Sequence, residues 1–300
     1  MAAQPFDQRE GFIWFDGRLV DWPTANLHVL SHALHYASAV FEGERVYGGT
    51  IFKLSEHTRR LFHSANVLDM AIPYQVEDID RACEETIRAN GIVDGYVRPI
   101  AWRGAEMMGV SAQTTFIHVA IATWQWPSYF DPAQRLKGIR LNISKWRRPS
   151  PETIPCDTKA AGLYMICTLS KHTAERAGYA DSLMLDYRGR VAEATGANVF
   201  FIRDGVIHTP VPDCFLDGIT RRTVIALARE RGCEVIQRAI MPEEMASFSE
   251  CFLTGTAVEV TPVSEIGEYR FTPGEITETL MDAYTGEVRP KGAARVAAAG

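Results

Sequence analysis

Short alternating runs of apolar and polar residues fill most of the chain, and a few stretches of helical period interrupt them. FIWFDGRLV, beginning at Phe12, predicts two strands around an Asp16-Gly17 turn. From about Ser55 to Leu68 the apolar residues Leu61, Ala65 and Leu68 fall on one helical face. VEDIDRACEETIRANG predicts a second helix, with acidic residues in its first turn and Gly91 as its C-terminal cap. YVRPIAW and FIHVAIATW read as strands, whereas QWPSYFDPAQRLKG has no clean period and reads as a linker. A β-α-β-β pattern follows. LNISKW is a strand, a helix runs from beyond Lys159 to near Gly178, DSLMLD is a strand and YRGR a turn. Val199 to Ile202, Arg203-Asp204-Gly205 and Val206-Ile207 predict a hairpin. GITRRTVIALARERG predicts a helix that Thr220 can cap and Gly232 ends, with Val224, Leu227 and Ala228 on one face. ECFLTGTAVEVTPV reads as a strand broken by a Thr-Gly-Thr turn, and the last fifteen residues read as a frayed tail. The pattern predicts an α/β protein of two domains: a small one over 1–125, a linker over 126–138, and a larger one over 139–300.

Composition narrows the field. The 300 residues are 46% hydrophobic and 23% charged, ordinary for a globular protein and enough for two cores. A formal charge of −6 argues against nucleic acid or an acidic membrane surface as partner. The first residues have no basic region followed by an apolar one, and no apolar run approaches the roughly 20 residues of a membrane helix. The six cysteines form no CxxC and no histidines cluster at zinc spacing, so no metal is expected. Reduced thiols in a cytoplasm fit best. Of 31 basic residues only six are lysines, which draws the eye to each lysine.

One of them, Lys159, stands among small and apolar residues in PCDTKAAGLYMIC, with Tyr164 five positions on. A desolvated amine there suits a Schiff base with a carbonyl cofactor, though a lysine snorkelling from a helix start gives the same sequence. Gly218-Ile219-Thr220 leads into a helix, whose free N–H groups and dipole suit a phosphate; an ordinary capped helix would look alike. The Thr254-Gly255-Thr256-Ala257 turn offers a second set of donors. Arg59 could add a cation, but beside Arg60 it reads first as part of a solvated helix face. Glu193 enters a hairpin through Ala194, Thr195 and Gly196, where strands rarely place a carboxylate. An amine, a phosphate pocket and a strand-borne carboxylate are together what pyridoxal 5'-phosphate needs, with the carboxylate holding the ring nitrogen protonated.

Glu193-x-Thr195-x-x-Asn198-Val199-Phe200, Ile207-x-Thr209 and Leu216-x-Gly218-Ile219-x-Arg221 together resemble the signature of class IV aminotransferases, the fold-type IV pyridoxal phosphate enzymes. The resemblance spans nearly the whole chain and runs closest to the bacterial branched-chain amino acid aminotransferases, which LHYASAVFEGERVYGG, YVRP and GTAVEVTPV also resemble. It implies the two-domain fold of the D-amino acid aminotransferase-like enzymes. It implies amino transfer from leucine, isoleucine or valine to 2-oxoglutarate through a Schiff base on Lys159. On the same footing Glu193 pairs with the pyridine nitrogen and Tyr164 with the ring hydroxyl. Arg59, Gly218, Ile219, Thr220 and Thr256 hold the phosphate, and the Thr256 and Ala257 amides face the substrate carboxylate. Tyr36, Phe41, Gly43, Arg45, Tyr96, Arg98, Val110 and Tyr129 shape the substrate pocket, Arg98 at its edge. A homodimer or a multiple of it is implied, because family members complete the site from the second subunit. Asn198 and Arg148 are left at the site's margin, with structural roles as good an account of them.

Two departures stand out. Glu44 occupies a position beside the expected pocket where the family usually has an aliphatic residue, and Asp217 one where proline is common. His32 and His35 read as packing or loop histidines. Rival readings within the fold are a D-amino acid or (R)-amine transaminase or an aminodeoxychorismate lyase. A rival of another class is a protein that binds pyridoxal phosphate without turnover.

Overall fold

The computed structural model describes residues 4–126 and 136–289. Tyr129, most of the expected linker and the tail beyond Arg289 lie outside the described residues. The described chain forms two compact units: residues 4–126 with 158–162, and residues 136–157 with 163–289.

The first unit is a sheet covered by helices. Its strands are β1 (Phe12–Phe15), β2 (Arg18–Asp21), β3 (Ala39–Phe41), β4 (Glu44–Tyr47), β5 (Thr50–Ile51), β6 (Gly95–Arg103) and β7 (Ile117–Gln125). They run in the order β2-β1-β7-β6-β4-β5, with β3 also on β6, and every pair is antiparallel. The expected Asp16-Gly17 turn joins β1 to β2 with both residues at positive φ. Helices α2 (Leu54–Val67) and α3 (Val76–Ala89) pack on the sheet, and a short α1 (His32–Tyr36) precedes β3. Leu61 and Ala65 of α2, Ile79 and Cys83 of α3, and Val40, Val46, Val97 and Val119 of the sheet are fully buried, so the helical and alternating periods meet in one core. Asn90 caps α3, and Gly91, one residue later, takes the positive φ that ends it.

The second unit is built on β8 (Ile139–Arg148), β9 (Asp181–Asp186), β10 (Val191–Ala194), β11 (Asn198–Arg203), β12 (Val206–Thr209), β13 (Val235–Gln237), β14 (Glu250–Gly255), β15 (Glu259–Ile266) and β16 (Tyr269–Arg270). Neighbours run β10-β9-β8-β15-β14-β11, and β10 pairs again with β11. Six strands therefore close on themselves as a barrel. Leu141, Leu183, Val191, Ala194, Val199, Phe201, Leu253 and Val263 fill its inside. Helix α4 (Met165–Arg176) packs on β8 and β9, α5 (Ile219–Glu230) on β14, and α6 (Glu275–Val288) on β14 and β15. The β11–β12 turn is the predicted Asp204-Gly205, both at positive φ. Two expectations shift. Thr220 lies inside the first turn of α5, and Gly218 is the cap residue, with no side-chain cap bond. The helix beyond Lys159 is delayed by a 3-10 turn, Ala161–Tyr164, before α4 begins.

Candidate active site

In the first unit the chain around Lys159 is held as an extra edge to β3. Ala160 bridges Val40, and the Phe41 N–H donates to the Lys159 carbonyl at 3.2 Å. On its other side the Lys159 N–H donates to Ser64 Oγ at 3.0 Å, from a fully buried residue of α2. The Lys159 amine lies 5.1 Å from the Phe41 ring centroid, and the Arg98 guanidinium stacks on the same ring at 4.8 Å. Arg98 also lies 5.3 Å from the Tyr96 ring and donates to Tyr96 Oη at 3.3 Å. Its Nε is buried with no hydrogen-bond partner among the described residues. Tyr96 is fixed by stacking on Trp124, and its hydroxyl fills the space a Cβ at Gly43 would need, 1.9 Å away. Glycine is therefore required at 43 for Tyr96 to stand where it does. Five expected residues (Lys159, Phe41, Gly43, Tyr96 and Arg98) come together here.

Arg45 pairs with Tyr96 across β4 and β6 and so shares its face of the sheet; it is buried, donates to the Trp126 carbonyl and stacks on Tyr47. Tyr36 is half exposed and stacks on His32, while Val110 is 85% exposed. His32 bonds Ser38 and the Gly109 carbonyl through its two ring nitrogens, so it ties the loop bearing Val110 to α1. Arg59 is exposed on α2, as its helix position suggests.

Arg60 is not on a solvated face. It forms two hydrogen bonds, 2.6 and 2.8 Å, to Glu42, a fully buried carboxylate that His57 also contacts at 2.7 Å. Burial opposes ionisation of Glu42, but Arg60 and His57 outweigh it and hold the carboxyl well below the usual range. Burial lowers the His57 pKa despite its bond to Glu42, so a neutral ring donates its Nδ1–H. Glu44 is different. Its Cα pairs with Val97, on the face opposite Tyr96 and Arg98, and its carboxyl is fully buried. Neither oxygen has a hydrogen-bond partner among the described residues. Burial first, then Glu42 and Asp80, push its pKa well above the ordinary value, so it stands protonated. The departure at 44 thus lies behind the sheet, in the core, and not beside the expected pocket. The alternation Val40, Glu42, Glu44, Val46 was the sequence signal for this buried face.

In the second unit the expected residues gather around Glu193. A β-bulge between Val191 and Glu193 resets the strand: Val191 pairs with Leu185 and Ala194 with Leu183, all core residues, while Glu193 pairs with Met184. The extra residue turns the carboxylate out of the barrel. There it shares a face with Asn198, whose chain neighbour Val199 points inward. Asn198 Nδ2 donates to Glu193 Oε2 at 3.2 Å, and Arg148 Nε lies 3.3 Å from Glu193 Oε1. Glu193, Asn198 and Arg148 are all buried. Burial works against the Arg148 cation, but Glu193, Cys167 and Tyr164 around it raise its pKa. The two residues left at the margin thus both touch the central carboxylate. Tyr164 is half-buried where the 3-10 turn meets α4.

Gly218 begins α5, and the N–H groups of Ile219 and Thr220, in its first turn, have no acceptor within the helix. Both residues are buried. A Cβ at Gly218 would fall 2.3 Å from Asn198 Oδ1, so Asn198 stands where it does only beside a glycine. Arg221 points elsewhere: fully buried, it bonds Asp217, Gln237 and the Pro210 carbonyl. The departure at Asp217 therefore fixes Arg221 at 2.9 Å. Thr256 and Ala257 form the β14–β15 turn, and Gly255 approaches Gly196 and Ala197 of the β10–β11 turn. The carboxylate, the helix start and the Thr256 turn lie together at one end of the barrel. Elsewhere in this unit Asp186, Asp213 and Cys214 could reach a common cation. Arg188 already bridges the two carboxylates at 2.6 and 2.7 Å, and burial pushes the Cys214 thiol up to about 12.

Residues 39–266 match the family model described as amino-transferase class IV. The chain is 41% identical over 293 residues to the "Probable branched-chain-amino-acid aminotransferase" of Rickettsia conorii, covering 96% of this chain and 100% of that one. It is 40% identical over 283 residues to the branched-chain-amino-acid aminotransferase of Pseudomonas aeruginosa, covering 92% of each. Among solved structures, the T.th. branched-chain amino acid aminotransferase with pyridoxamine 5'-phosphate superposes with a TM-score of 0.91 at 40% identity, covering 93% of this chain and 94% of that one. The same enzyme complexed with N-(5'-phosphopyridoxyl)-L-glutamate superposes at 0.89.

Proposed function

The chain belongs to the class IV aminotransferases, and from that membership we propose its reaction: transfer of the amino group of leucine, isoleucine or valine to 2-oxoglutarate. It is a pyridoxal-phosphate-dependent enzyme of fold type IV. The observation that carries the reading is the end of the barrel, where an outward carboxylate and a glycine-started helix lie within reach of one side chain, Asn198. The residues present fit the cofactor. Glu193 offers a buried carboxylate for the ring nitrogen, the first turn of α5 offers N–H groups for a phosphate, and Lys159 offers an amine beside an aromatic face.

In the proposed assignment the bound cofactor supplies an electron sink for the bond that breaks at the substrate α-carbon. Lys159 holds the cofactor and carries the proton from the α-carbon. Glu193 pairs with the ring N–H, and Arg148, 3.3 Å from its other oxygen, holds the carboxylate in place. Tyr164 donates to the ring oxygen. Ile219, Thr220, Thr256 and Arg59 bind the phosphate, and the Thr256 and Ala257 amides take the substrate carboxylate. Phe41, Tyr96 and Gly43 form an apolar wall that accepts a branched side chain, with Tyr36, Arg45, Val110 and Tyr129 completing it. Arg98 accepts the distal carboxylate of glutamate; its unpartnered Nε supports this, and its stacking on Phe41 and Tyr96 shelters the charge when leucine is bound.

We place the enzyme in the cytoplasm as a homodimer. No helix among the described residues is long and apolar enough to cross a membrane. Leu27, Val29, Leu30 and Leu34 near α1, and Met107, Met108 and Val110 on the loop His32 holds, are exposed apolar residues of a kind that a second subunit covers. The deciding experiment is an absorbance spectrum with leucine and 2-oxoglutarate turnover, set against D-alanine and an (R)-amine as donors. Borohydride should fix the cofactor on Lys159. An adduct on Lys145 or Lys171, or preference for a D-donor, overturns the assignment.

A further inference from the structure

Pyridoxal phosphate is a small ligand: its ring nitrogen and its phosphate are joined by a flat ring and a short ester arm, so their separation stays within a narrow range. A protein that binds both ends must hold two anchor points at a matching separation, and any slack is lost as ordering entropy or misalignment. In the second unit the two anchors come from distant stretches of chain, Glu193 on β10 and the start of α5 at Gly218. One side chain touches both. Asn198 Nδ2 donates to Glu193 Oε2 at 3.2 Å, and Asn198 Oδ1 accepts the Gly218 N–H at 3.2 Å. Its second amide hydrogen goes to the Leu216 carbonyl at 3.0 Å, two residues before the helix cap. The amide thus uses both donors and its acceptor, and it is 4% exposed.

The backbone locks this amide in place. Asn198 is the residue that pairs β11 with β10, opposite Glu193 itself, and it also pairs with Thr254, next to the turn that carries Thr256. Gly218 lies so close to Asn198 Oδ1 that a methyl group there and the amide as it stands could not share the space.

We propose that Asn198 is a positioning residue that sets the spacing between the carboxylate for the ring nitrogen and the helix start for the phosphate. This rests on the cofactor assignment above and adds to it a role for a residue that touches neither reacting atom. Asn198 acts through Glu193 and Gly218. Its removal leaves each anchor intact and frees their separation. A ligand that uses both anchors loses affinity; a ligand that uses only the helix start does not.

The test is titration of the cofactor-free full chain with pyridoxal phosphate, read by visible absorbance, and with inorganic phosphate, read by calorimetry. Asn198→Ala is expected to weaken pyridoxal phosphate at least tenfold while changing phosphate affinity less than threefold. Asn198→Ser adds no charge beside the helix start, and its short hydroxyl cannot reach Glu193 and Gly218 at once. It is expected to weaken pyridoxal phosphate with phosphate affinity kept, and it serves where the alanine variant does not fold. Parallel loss of both ligands makes Asn198 a support of the helix end only, and overturns the proposal. So does a variant that binds pyridoxal phosphate as the parent does. A parent chain that binds no pyridoxal phosphate overturns the cofactor assignment itself, and this role with it.

Discussion

Glu44 and Arg98 show how much a single side chain can depend on the face it occupies. Both are charged residues of adjacent strands, β4 and β6, but one meets the helix-covered core and the other an aromatic wall. Glu44 keeps its proton in the fold and gives it up at its ordinary pKa of 4.5 when unfolded. The folded state then binds the extra proton, so stability falls as pH rises from about 4.5 toward the raised value. Glu44→Leu removes both the unpartnered oxygens and this dependence. It should stabilise the chain by roughly 1–3 kcal/mol near neutral pH, the cost of an unmet buried polar group, and by less in acid. Denaturant melts of the two proteins at several pH values check this. Arg98→Leu should damage the half-reaction with glutamate far more than that with leucine, by roughly ten- to a hundredfold for one charge-assisted bond. Single-turnover spectra of the two half-reactions separate the losses. Equal losses would make Arg98 structural.

Helix α2 carries more than its sequence disclosed. Its apolar stripe, Leu61 and Ala65, was legible from period alone, and both are fully buried. The polar side of the same helix was not, because His57 and Arg60 draw their meaning from Glu42, fifteen and eighteen positions away and on a different element. Periodicity reports which face is apolar; it does not report which polar residue finds a buried partner. Ser64 is a similar case, since its bond to the Lys159 N–H spans 95 positions. Glu42→Gln should cost roughly 3–5 kcal/mol, the penalty for breaking a buried pair and leaving Arg60 uncompensated. Because Glu42 is ionised in the fold well below 4.5, the parent should lose this stabilisation as the medium is acidified below that pH, and the variant should not. Thermal melts in acid and at neutrality give both results. The Gly218 cap was missed for a plainer reason. Thr220 is a good capping type, but the chain enters α5 two residues earlier through a glycine that Asn198 leaves no room to replace.

Across the described residues, the strands, the main helices and the set of residues that meet at the barrel end were readable because each rests on local pattern or on a contiguous motif. Closure of the barrel was not, since it needs β8 beside β15 and β10 beside both β9 and β11. The exposed apolar residues around α1 and Val110 belong to the same scale, because the proposed substrate wall, which includes an 85% exposed valine, is complete only when something covers it. Val110→Asp should lower activity and shift the assembly toward single chains, with Tm of the chain little changed. Light scattering alongside the leucine assay measures both. A dimer that persists with full activity would remove Val110 from the interface. The bulge before Glu193 has a last consequence, for heredity. The carboxylate faces outward by virtue of a count: one residue more than regular pairing allows between Val191 and Ala194. A gene that lost the Ala192 codon in frame would still encode every residue of the proposed pocket, yet the parity of the strand would send Glu193 inward. Substitutions in this hairpin are graded in their effects; a deletion of one residue is not, because it reverses the face of the carboxylate at a stroke.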